Sequence, residues 1–580
     1  MKTKNTAVIK RVLTYSKQYA KYIAAAFFCT VISVTLTLLA PVLVGRAIDN
    51  IIEEGNVLFE QIFYILCVLV CAIAGGALFQ WLSGLCTNKV SYYTVRDMRR
   101  DVFDKLGDVP LSYIDSHSHG DLISRIINDV DAVGEGLLQM INQLFSGVVT
   151  ILGTIVFMVA VDYKIALVVV LVTPLSLFVA SFIGRLSSKK FRQQQTLQGE
   201  LGGFVEELVG NQKTVKAFSF EKRSQQEFER LNHQLYTVGQ KAQFAGSLAN
   251  PSTRFVNGIV YASVGIIGAF SAVNGGLSIG QISCFLTYAN QYTKPFNEVT
   301  GVLTQLQTAL ASAVRVFDVL DEKNQAPDSE NAIAMDTCKG NVKIENVSFS
   351  YKPEQKLIKN FSLNVKSGQR IAIVGPTGCG KTTFINLLMR FYEVNSGNIY
   401  IDGVSISDIT RNSLRGLYGM VLQESWLFNG TVKENLRYGK PDATDKEIEN
   451  AAKSAYAHSF IRKMPNGYDS IITQDGANLS QGQRQLMCIA RAMVTNPPML
   501  ILDEATSSID SLTEIRVQKA FAKMMQGKTS FVVAHRLSTI KEADVILVMK
   551  DGDIIEQGSH SELLQKGGFY SELYSSQFAH

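Results

Sequence analysis

The sequence predicts a polytopic α-helical membrane domain followed by a cytosolic α/β domain. Long charge-free tracts fill the first part of the chain, whereas the part after about Lys339 has the mixed polarity of a water-soluble domain. The length of 580 residues also exceeds the roughly 250 to 300 residues that one hydrophobic core usually serves. We therefore expect a membrane domain at residues 1–320, a linker at residues 321–340 and a second domain at residues 341–580.

Charge-free tracts predict six transmembrane helices. Tracts of 24, 28, 26 and 20 residues lie between Lys21 and Arg46, Glu60 and Lys89, Glu135 and Asp162, and Lys164 and Arg185. A helix needs about 20 apolar residues to cross a hydrocarbon core of roughly 30 Å. A fifth tract of 39 residues, between Arg254 and Lys294, contains Val-Asn-Gly-Gly at residues 273–276 and is expected to form two spans joined by a turn.

Basic residues in the short loops set the expected orientation. Residues 95–105 and 185–192 are basic, residues 49–56 are acidic, and residues 161–164 are nearly neutral. Since basic loops stay on the cytoplasmic side, we expect a multi-pass protein of the inner (plasma) membrane with its second domain in the cytoplasm. Residues 2–21 are amphipathic and basic and are expected to lie along the inner membrane surface.

Net charge and cysteine content argue against some kinds of partner. The net charge of +5 suits contact with the inner leaflet but is too small to indicate binding of nucleic acid. The 8 cysteines show no metal-ligand spacing, and a reducing compartment argues against disulfides.

Helical periodicity continues beyond the membrane boundary after the second and fourth tracts. Small or polar residues interrupt it near residues 111–131 and 210–221, so the helices are expected to turn around there, in the cytosol. His117 and His119 suggest a metal site, but no third ligand follows at a suitable spacing. We therefore expect them in a solvated loop.

A glycine-rich motif lies between a strand-like and a helix-like segment. Residues 375–383 read GPTGCGKTT, the GxxxxGK[ST] pattern whose backbone N–H groups cradle phosphates at a helix N-terminus. In this pattern Lys381 reaches the β- and γ-phosphates and the Thr382 hydroxyl binds Mg²⁺. The expected nucleotide-binding residues are Gly375, Pro376, Thr377, Gly378, Cys379, Gly380, Lys381, Thr382 and Thr383.

A second motif supplies acids. Residues 498–510 read PMLILDEATSSID, a continuous apolar run that predicts a buried parallel strand ending in two carboxylates. Asp503 is placed to hold Mg²⁺ through water, and Glu504 to polarise the attacking water. Together, the two motifs predict a P-loop ATPase domain that uses ATP and Mg²⁺.

With LSQGQ at residues 479–483, the order of these motifs resembles an ABC exporter half-transporter of the multidrug or lipid type. The resemblance covers essentially the whole chain: a six-helix membrane domain fused to a nucleotide-binding domain. It implies that Tyr351 stacks on adenine, that Gln423 senses Mg²⁺ and the attacking water, and that His535 contacts the γ-phosphate. The two cytosolic turnarounds resemble coupling helices.

The resemblance also implies a dimer. Ser480 has no obvious partner nearby in the sequence. Ser480 and Gly482, with Gln483, are implied to bind the γ-phosphate of an ATP held by the other subunit, where a hydroxyl, backbone N–H groups and a helix start form an anion site. The loop of residues 507–510, which includes Asp510, is implied to cross to that subunit.

The expected function is ATP-driven export of an amphipathic or hydrophobic substrate, such as a drug, lipid or peptide, by alternating access. An importer on the same scaffold remains an alternative. A second alternative, an ATP-gated channel or regulator that does not transport, is disfavoured by the presence of Glu504 and His535. The sequence does not identify the substrate. Some intramembrane polar residues are candidates either for lining a cavity or for bonding between helices: Asn257, Gln281, Asn290, Gln291, Lys294 and Glu298.

The prediction about the second subunit rests on Gln481. The common family signature is LSGGQ, and Gln481 replaces its first glycine, which adds bulk at the phosphate contact. Residues 473–476, TQDG, also depart from the usual acidic-arginine-glycine loop. An intact hydrolytic half with a modified signature resembles one subunit of the heterodimeric bacterial exporters. A paralogous partner is therefore favoured, with a homodimer as the alternative; the other expected partners are membrane lipid and a small amphipathic substrate.

Overall fold

The computed structural model describes residues 2–53, 56–172, 174–352, 357–422, 425–473, 476–503, 510–534 and 540–578. The chain divides into two compact units. The first comprises Met1–Val109 and His117–Lys323, and the second comprises Pro110–Ser116 and Asn324–His580. The segment Pro110–Ser116 therefore groups with the second unit, although its neighbours in the chain belong to the first.

Helices form nearly all of the first unit. Up to residue 320 they are α1 Lys2–Lys17, α2 Ala20–Asp49, α3 Phe59–Asp108, α4 Leu111–Asp115 (in the second unit), α5 His119–Ser124, α6 Val130–Gln139, α7 Ser146–Val161, α8 Tyr163–Val172, α9 Pro174–Gly210, α10 Gln212–Ala217, α11 Glu221–Ser247, α12 Ala249–Val273 and α13 Ile279–Leu320. Two π-helical segments, Arg125–Asp129 and Met140–Phe145, join α5, α6 and α7. A short antiparallel pair, β1 Ile51–Glu53 and β2 Asn56–Val57, follows α2.

Each predicted charge-free tract lies on helix, as lipid requires, because a helix satisfies its own backbone hydrogen bonds. Among the described residues, four helical stretches are long and apolar enough to cross a membrane: Ala20–Asp49, Phe59–Asp108, His119–Val161 and Glu221–Val273. The fourth predicted tract lies on α8 and α9, and the fifth lies on α12 and α13. The predicted turn within the fifth tract is confirmed, since α12 ends at Val273 and α13 begins at Ile279.

The start of α13 is fixed against the end of α2. Ser278 caps α13 in a capping box with Gln281, and the Asp49 carboxylate accepts hydrogen bonds from the Ser278 hydroxyl at 2.6 Å and the Gly280 N–H at 2.8 Å. The backbones approach so closely that a Cβ at Gly45 would lie 2.5 Å from the Gly280 carbonyl oxygen. Small residues at such crossings permit close packing of membrane helices.

Two larger sheets organise the second unit. Its strands are β3 Val342–Phe349, β4 Ile358–Val365, β5 Arg370–Val374, β6 Ser396–Ile401, β7 Val404–Ser405, β8 Tyr418–Val421, β9 Gly430–Thr431, β10 Ile471–Ile472, β11 Met499–Asp503, β12 Thr529–Val533, β13 Val545–Lys550 and β14 Asp553–Gly558. Its remaining α-helices are α14 Lys381–Leu388, α15 Arg411–Gly416, α16 Val432–Arg437, α17 Asp445–Ser454, α18 His458–Ile461, α19 Gln481–Thr495, α20 Ser511–Met525, α21 His560–Lys566 and α22 Phe569–Phe578.

The larger sheet has the strand order β14-β13-β5-β12-β11-β8, and the smaller, antiparallel sheet has the order β4-β3-β6-β7. In the larger sheet only β14 pairs antiparallel. Residues Ile371–Val374 of β5 and Met499–Leu502 of β11 are buried, as expected for parallel strands covered on both faces. The carboxyl ends of these strands share one edge, where ligands bind in open α/β sheets.

The segment before β3 lies along the second unit. Asp328 accepts hydrogen bonds from the Arg411 backbone N–H at 2.9 Å and its guanidinium at 2.7 Å. Met335 exchanges two hydrogen bonds with the Ser413 hydroxyl. Asp402, with a φ of 49°, accepts from the backbone N–H groups of Lys339 and Asn341 at 2.5 and 2.9 Å.

Candidate functional site

The glycine-rich loop joins β5 to α14, as its sequence predicts. β5 ends at Val374, and α14 begins at Lys381 with Gly380 as its N-cap. Gly378 and Gly380 have φ values of 82° and 102°, a region that side-chain-bearing residues rarely occupy. A Cβ at Gly378 would meet nothing within 4 Å. The loop therefore offers open space beside its backbone, which fits a phosphate group.

Lys381 lies over this loop. Its ammonium group donates to the carbonyl oxygens of Gly375 at 2.9 Å and Pro376 at 3.0 Å, and Cys379 is buried beneath it. Thr382 is exposed in the first turn of α14, whereas Thr383 is buried. A lysine cation beside a helix N-terminus is the donor set that phosphate binding requires.

Tyr351, the predicted adenine contact, lies beside the loop. Its hydroxyl donates to the Thr383 hydroxyl at 3.1 Å, and the residue is 48% exposed. Its ring meets Phe349 and Tyr392 edge-on, each at a centroid distance of 5.0 Å. The ring is thus held in place and still has surface on which a base can stack.

Tyr392 is a residue that the sequence analysis missed. Its hydroxyl donates to the Asp115 carboxylate at 2.5 Å, and Asp115 is the last residue of α4. Burial and the neighbouring Asp115 charge raise the Tyr392 pKa, so the phenol stays a neutral donor. The contact joins the loop's aromatic cluster to the first of the two predicted turnarounds. Nothing in the sequence around Tyr392 indicates it.

Three further strand ends meet the edge where the loop lies. β12 pairs with β5, β11 with β12, and β8 with β11, all parallel. β11 ends at Asp503, and at about 4.8 Å per strand the ends of β5 and β11 lie roughly 10 Å apart. The predicted catalytic residues follow these strands in sequence but lie outside the described residues: Gln423, Glu504 and His535.

Ser480 has a local role as well as the predicted one. It is the N-cap of α19, where its hydroxyl oxygen accepts from the Gln483 N–H at 3.3 Å and its own N–H donates to Gln483 Oε1 at 2.9 Å. The expectation that Ser480 lacks a partner nearby was wrong. The Ser-x-x-Gln spacing, a capping-box pattern, signals this role. Gly482 is buried and Gln481 is exposed in the same first turn.

Asp510 also caps a helix. Its carboxylate accepts from the Thr513 N–H at 2.9 Å at the start of α20. Hydrogen bonds from Thr513 lower the Asp510 pKa, so it is an anion at neutral pH. The rest of the loop predicted to cross to the partner, residues 504–509, lies outside the described residues.

The polar membrane residues have different surroundings. Gln291 and Lys294 line a cavity in the first unit. Gln281 belongs to the cap of α13, and Asn290 and Asn257 are not among the residues that line this cavity. The side chain of Glu298 lies outside the described residues. No group of three or more His, Cys, Asp or Glu side chains that could hold a metal ion occurs within the described ranges, and all eight cysteines are free thiols.

Comparisons with known proteins match both halves of the chain. The family described as ABC transporter transmembrane region matches residues 23–296, and the family described as ABC transporter matches residues 358–507. A fatty acid ABC transporter ATP-binding/permease protein of Mycobacterium bovis is 40% identical over 90% of this chain and 83% of its own length. An ATP-dependent lipid A-core flippase of Desulfotalea psychrophila is 36% identical over 99% of this chain and 100% of its own.

A solved structure, that of a bacterial Atm1-family ABC exporter with ATP bound, is also similar. It superimposes with a TM-score of 0.78 at 27% identity, covering 97% of this chain and 99% of its own. The similarity therefore extends through both units.

Proposed function

Because the chain belongs to the ABC transporter family, as an exporter whose membrane and ATPase regions are fused, we propose that two such halves close on two ATP molecules and open their membrane domains outward. The protein is an ATP-hydrolysing exporter and a multi-pass protein of the inner membrane. Hydrolysis resets the pair. ATP shifts the inward–outward equilibrium only through its higher affinity for the closed pair.

One observation carries the assignment of the ATP site: the ends of β11, β12 and β8 lie on the same edge as the loop that holds Lys381. We assign phosphate binding to residues 375–383 and adenine stacking to Tyr351. Glu504 and Gln423 orient the attacking water, and His535 contacts the γ-phosphate.

The donor set also fits Mg²⁺. The Thr382 hydroxyl and the Gln423 amide would supply oxygen ligands, which Mg²⁺ prefers, and the Asp503 carboxylate would hold a water ligand of the ion. When bound, the ion neutralises charge on the β- and γ-phosphates. Asp503 would act through water, because its strand β11 lies two strands away from β5.

The second half of each ATP site comes from the other subunit. Ser480 accepts a hydrogen bond within its own chain, so its hydroxyl proton remains available to a phosphate oxygen. Ser480, Gly482 and Gln483 lie at the start of a 15-residue helix, where the helix dipole favours an anion. Asp510 completes the contact between subunits. A paralogous partner fits Gln481, whose side chain crowds this anion position.

The substrate of this proposal is a lipid-like amphiphile. Two relatives that match most of the chain are named for fatty acids and for lipid A-core. The two turnarounds, which include α4 and α10, act as coupling helices that carry closure of the ATPase regions to the membrane helices.

Complementation tests the shared ATP site. A Lys381→Ala chain loses the loop cation, and a Ser480→Glu chain places a negative charge where the partner's γ-phosphate binds. For a homodimer, mixing the two variants restores one complete site, so ATPase activity returns above that of either variant alone. For a heterodimer, each variant of this chain is combined with the wild-type partner. Nucleotide trapping should then show that the Lys381→Ala and Ser480→Glu variants block different ATP sites. If both variants empty the same site, the proposal is wrong.

A further inference from the structure

A polar cavity lies among the membrane helices of the first unit. It has a volume of about 640 Å³ and is lined from α2, α3, the segment joining α6 to α7, the start of α7, and α13. Pockets that hold drug-sized molecules measure about 300 to 1,000 Å³. The cavity thus has room for the head group of an amphiphile.

The hydroxyl groups on one wall are used in helix packing. Thr30 and Ser83 hydrogen-bond to each other at 2.8 Å across α2 and α3. Ser33 donates to the Gly76 carbonyl at 2.8 Å, and Thr37 donates to the Ser33 carbonyl at 2.8 Å. These groups need no ligand to be satisfied.

The amide groups on the other walls are different. Gln80, Asn142, Gln143 and Gln291 line the cavity, and within the described part of the chain their side chains make no hydrogen bond. The Gln291 Oε1 atom is buried as well. Gln80, Asn142 and Gln143 are exposed, so only the buried Gln291 oxygen carries a desolvation cost. A buried polar atom without a partner is costly in a membrane interior, and Gln291 therefore indicates a polar occupant.

Pro295 adds to the polarity of this wall. It lies inside α13, and a proline has no N–H with which to bond the carbonyl oxygen four residues earlier. That carbonyl belongs to Gln291. The Gln291 carbonyl oxygen therefore lacks the helical hydrogen bond that an N–H at position 295 would supply.

Lys294 is the one charged side chain among the described residues that line the cavity. It makes no ion pair with a described residue. It follows the start of α13 by about four turns, a rise of roughly 22 Å from the outer end. The cation thus lies in the cytoplasmic half of the membrane, within reach of the inner leaflet.

We propose that this cavity selects amphiphiles with one acidic head group, a carboxylate or a phosphate, which Lys294 and the amide N–H groups bind. The proposal rests on the export function and names the chemical class of its substrate. An anion pairs with the Lys294 cation, which is exposed to the cavity, and takes hydrogen bonds from the amides. A cationic head group would meet Lys294 as a like charge, and a neutral one would leave it without a counter-ion.

Probes that share one chain and differ in the head group test this directly. The assembled transporter is placed in phosphatidylcholine nanodiscs, and binding of labelled oleate is measured against empty nanodiscs. Monoolein, oleylamine and oleoyl lysophosphatidylglycerol compete for the site. Oleate, the lysophospholipid or both should bind at least about tenfold more tightly than monoolein and oleylamine, because only the acids form a charge-assisted hydrogen bond with Lys294. The tighter of the two acids distinguishes a carboxylate from a phosphate substrate.

Matched variants locate the effect at Lys294. Lys294→Gln should remove the preference for acids, whereas Lys294→Arg should keep it, since the charge remains. Lys164→Gln, at an exposed lysine outside the cavity, should bind oleate as the wild type does. Thermal unfolding and size-exclusion profiles establish that each variant is folded.

Equal affinity of the wild type for oleylamine and the acids would overturn the inference, and so would an acid preference that survives in Lys294→Gln. The export function is tested separately. Acid-selective binding without ATP hydrolysis would support the cavity's assignment and contradict the proposed function, whereas active hydrolysis without acid selectivity would contradict only the cavity's assignment.

Discussion

Tyr392 donates a hydrogen bond to Asp115, the last residue of the five-residue helix α4, which lies between α3 and α5 in sequence. The same ring packs edge-on against Tyr351, whose hydroxyl bonds to Thr383 of the phosphate loop. The proposed adenine contact and the proposed first coupling helix are therefore separated by one side chain. A nucleotide that moves Tyr351 must also move Tyr392 or break its packing.

Tyr392→Phe should weaken coupling while leaving ATP binding near the wild-type level. The ring packing stays, and one hydrogen bond worth about 1 kcal/mol is lost. We expect a severalfold drop in substrate molecules moved per ATP hydrolysed. Tyr400→Phe is the matched control, since its hydroxyl contacts only Asn398 among the described residues. An unchanged ratio in Tyr392→Phe would show that the contact does not transmit closure.

Glu504→Gln should preserve ATP binding and slow hydrolysis at its own site. A group that positions or deprotonates the attacking water contributes about a hundredfold or more to the rate. Phosphate release from the purified transporter measures the effect. Release at the wild-type rate would exclude Glu504 from the role assigned to it.

Lys381→Ala, by contrast, should weaken nucleotide binding itself. The ammonium group is the loop's cation, and its removal takes away a charge-assisted contact to phosphate, which is about twice as strong as a neutral one. Equilibrium binding of labelled ATP should show at least about a tenfold rise in Kd. Lys352→Ala, a lysine next to Tyr351 but outside the loop, should bind ATP normally; equal losses in both variants would point to misfolding.

Asp402→Asn should destabilise the attachment of the segment before β3, and the effect should depend on pH. Burial alone would raise the Asp402 pKa, but hydrogen bonds from Asn341, Lys339 and Gly340 lower it. A lowered folded pKa adds stability that is present above the unfolded pKa of about 3.9 and is lost as the pH falls through the folded value. The variant should thus have a lower melting temperature than the wild type at pH 7, and the difference between the two melting temperatures should narrow towards pH 3. A difference that does not change with pH would contradict this.

Gln481→Gly tests whether the signature is impaired. If the side chain crowds the γ-phosphate, the variant should raise the turnover of a transporter made from this chain alone. Gln481→Ala removes most of the side-chain bulk but does not add the backbone freedom of glycine, so comparing it with Gln481→Gly shows which of the two properties matters. A stable homodimer with brisk, substrate-stimulated ATPase in the unaltered chain would refute the requirement for a paralogous partner, whereas rescue of an inactive chain by a neighbouring half-transporter would support it.

The fold class was predictable because both of its signals are local. A tract of 20 or more apolar residues must form a helix in lipid, and the loop before Lys381 forms the same turn wherever its glycines occur between strand and helix. The predicted class, a helical membrane domain with an α/β P-loop ATPase domain, is confirmed. The capping roles of Ser480 and Gln281 were also readable, since each belongs to a Ser-x-x-Gln pattern.

Other features depend on contacts that no local pattern records. Tyr392 and Asp115 are separated by 277 residues, and neither lies in a motif. Hydropathy marks Asn257 and Gln291 equally as polar residues in apolar tracts, yet only Gln291 lines the cavity. The Asn257 side-chain oxygen is buried elsewhere. The helix packing that brings Gln291 and not Asn257 to the cavity is a tertiary property.

Export itself is the most direct test. The transporter is reconstituted in inside-out vesicles, with labelled oleate or lysophosphatidylglycerol outside and ATP with Mg²⁺ added to the medium. We expect label to accumulate in the lumen only when ATP is present, and this accumulation to be lost in Glu504→Gln. Equal accumulation in that variant, or ATP-driven movement of label from the lumen to the medium, would contradict ATP-driven export.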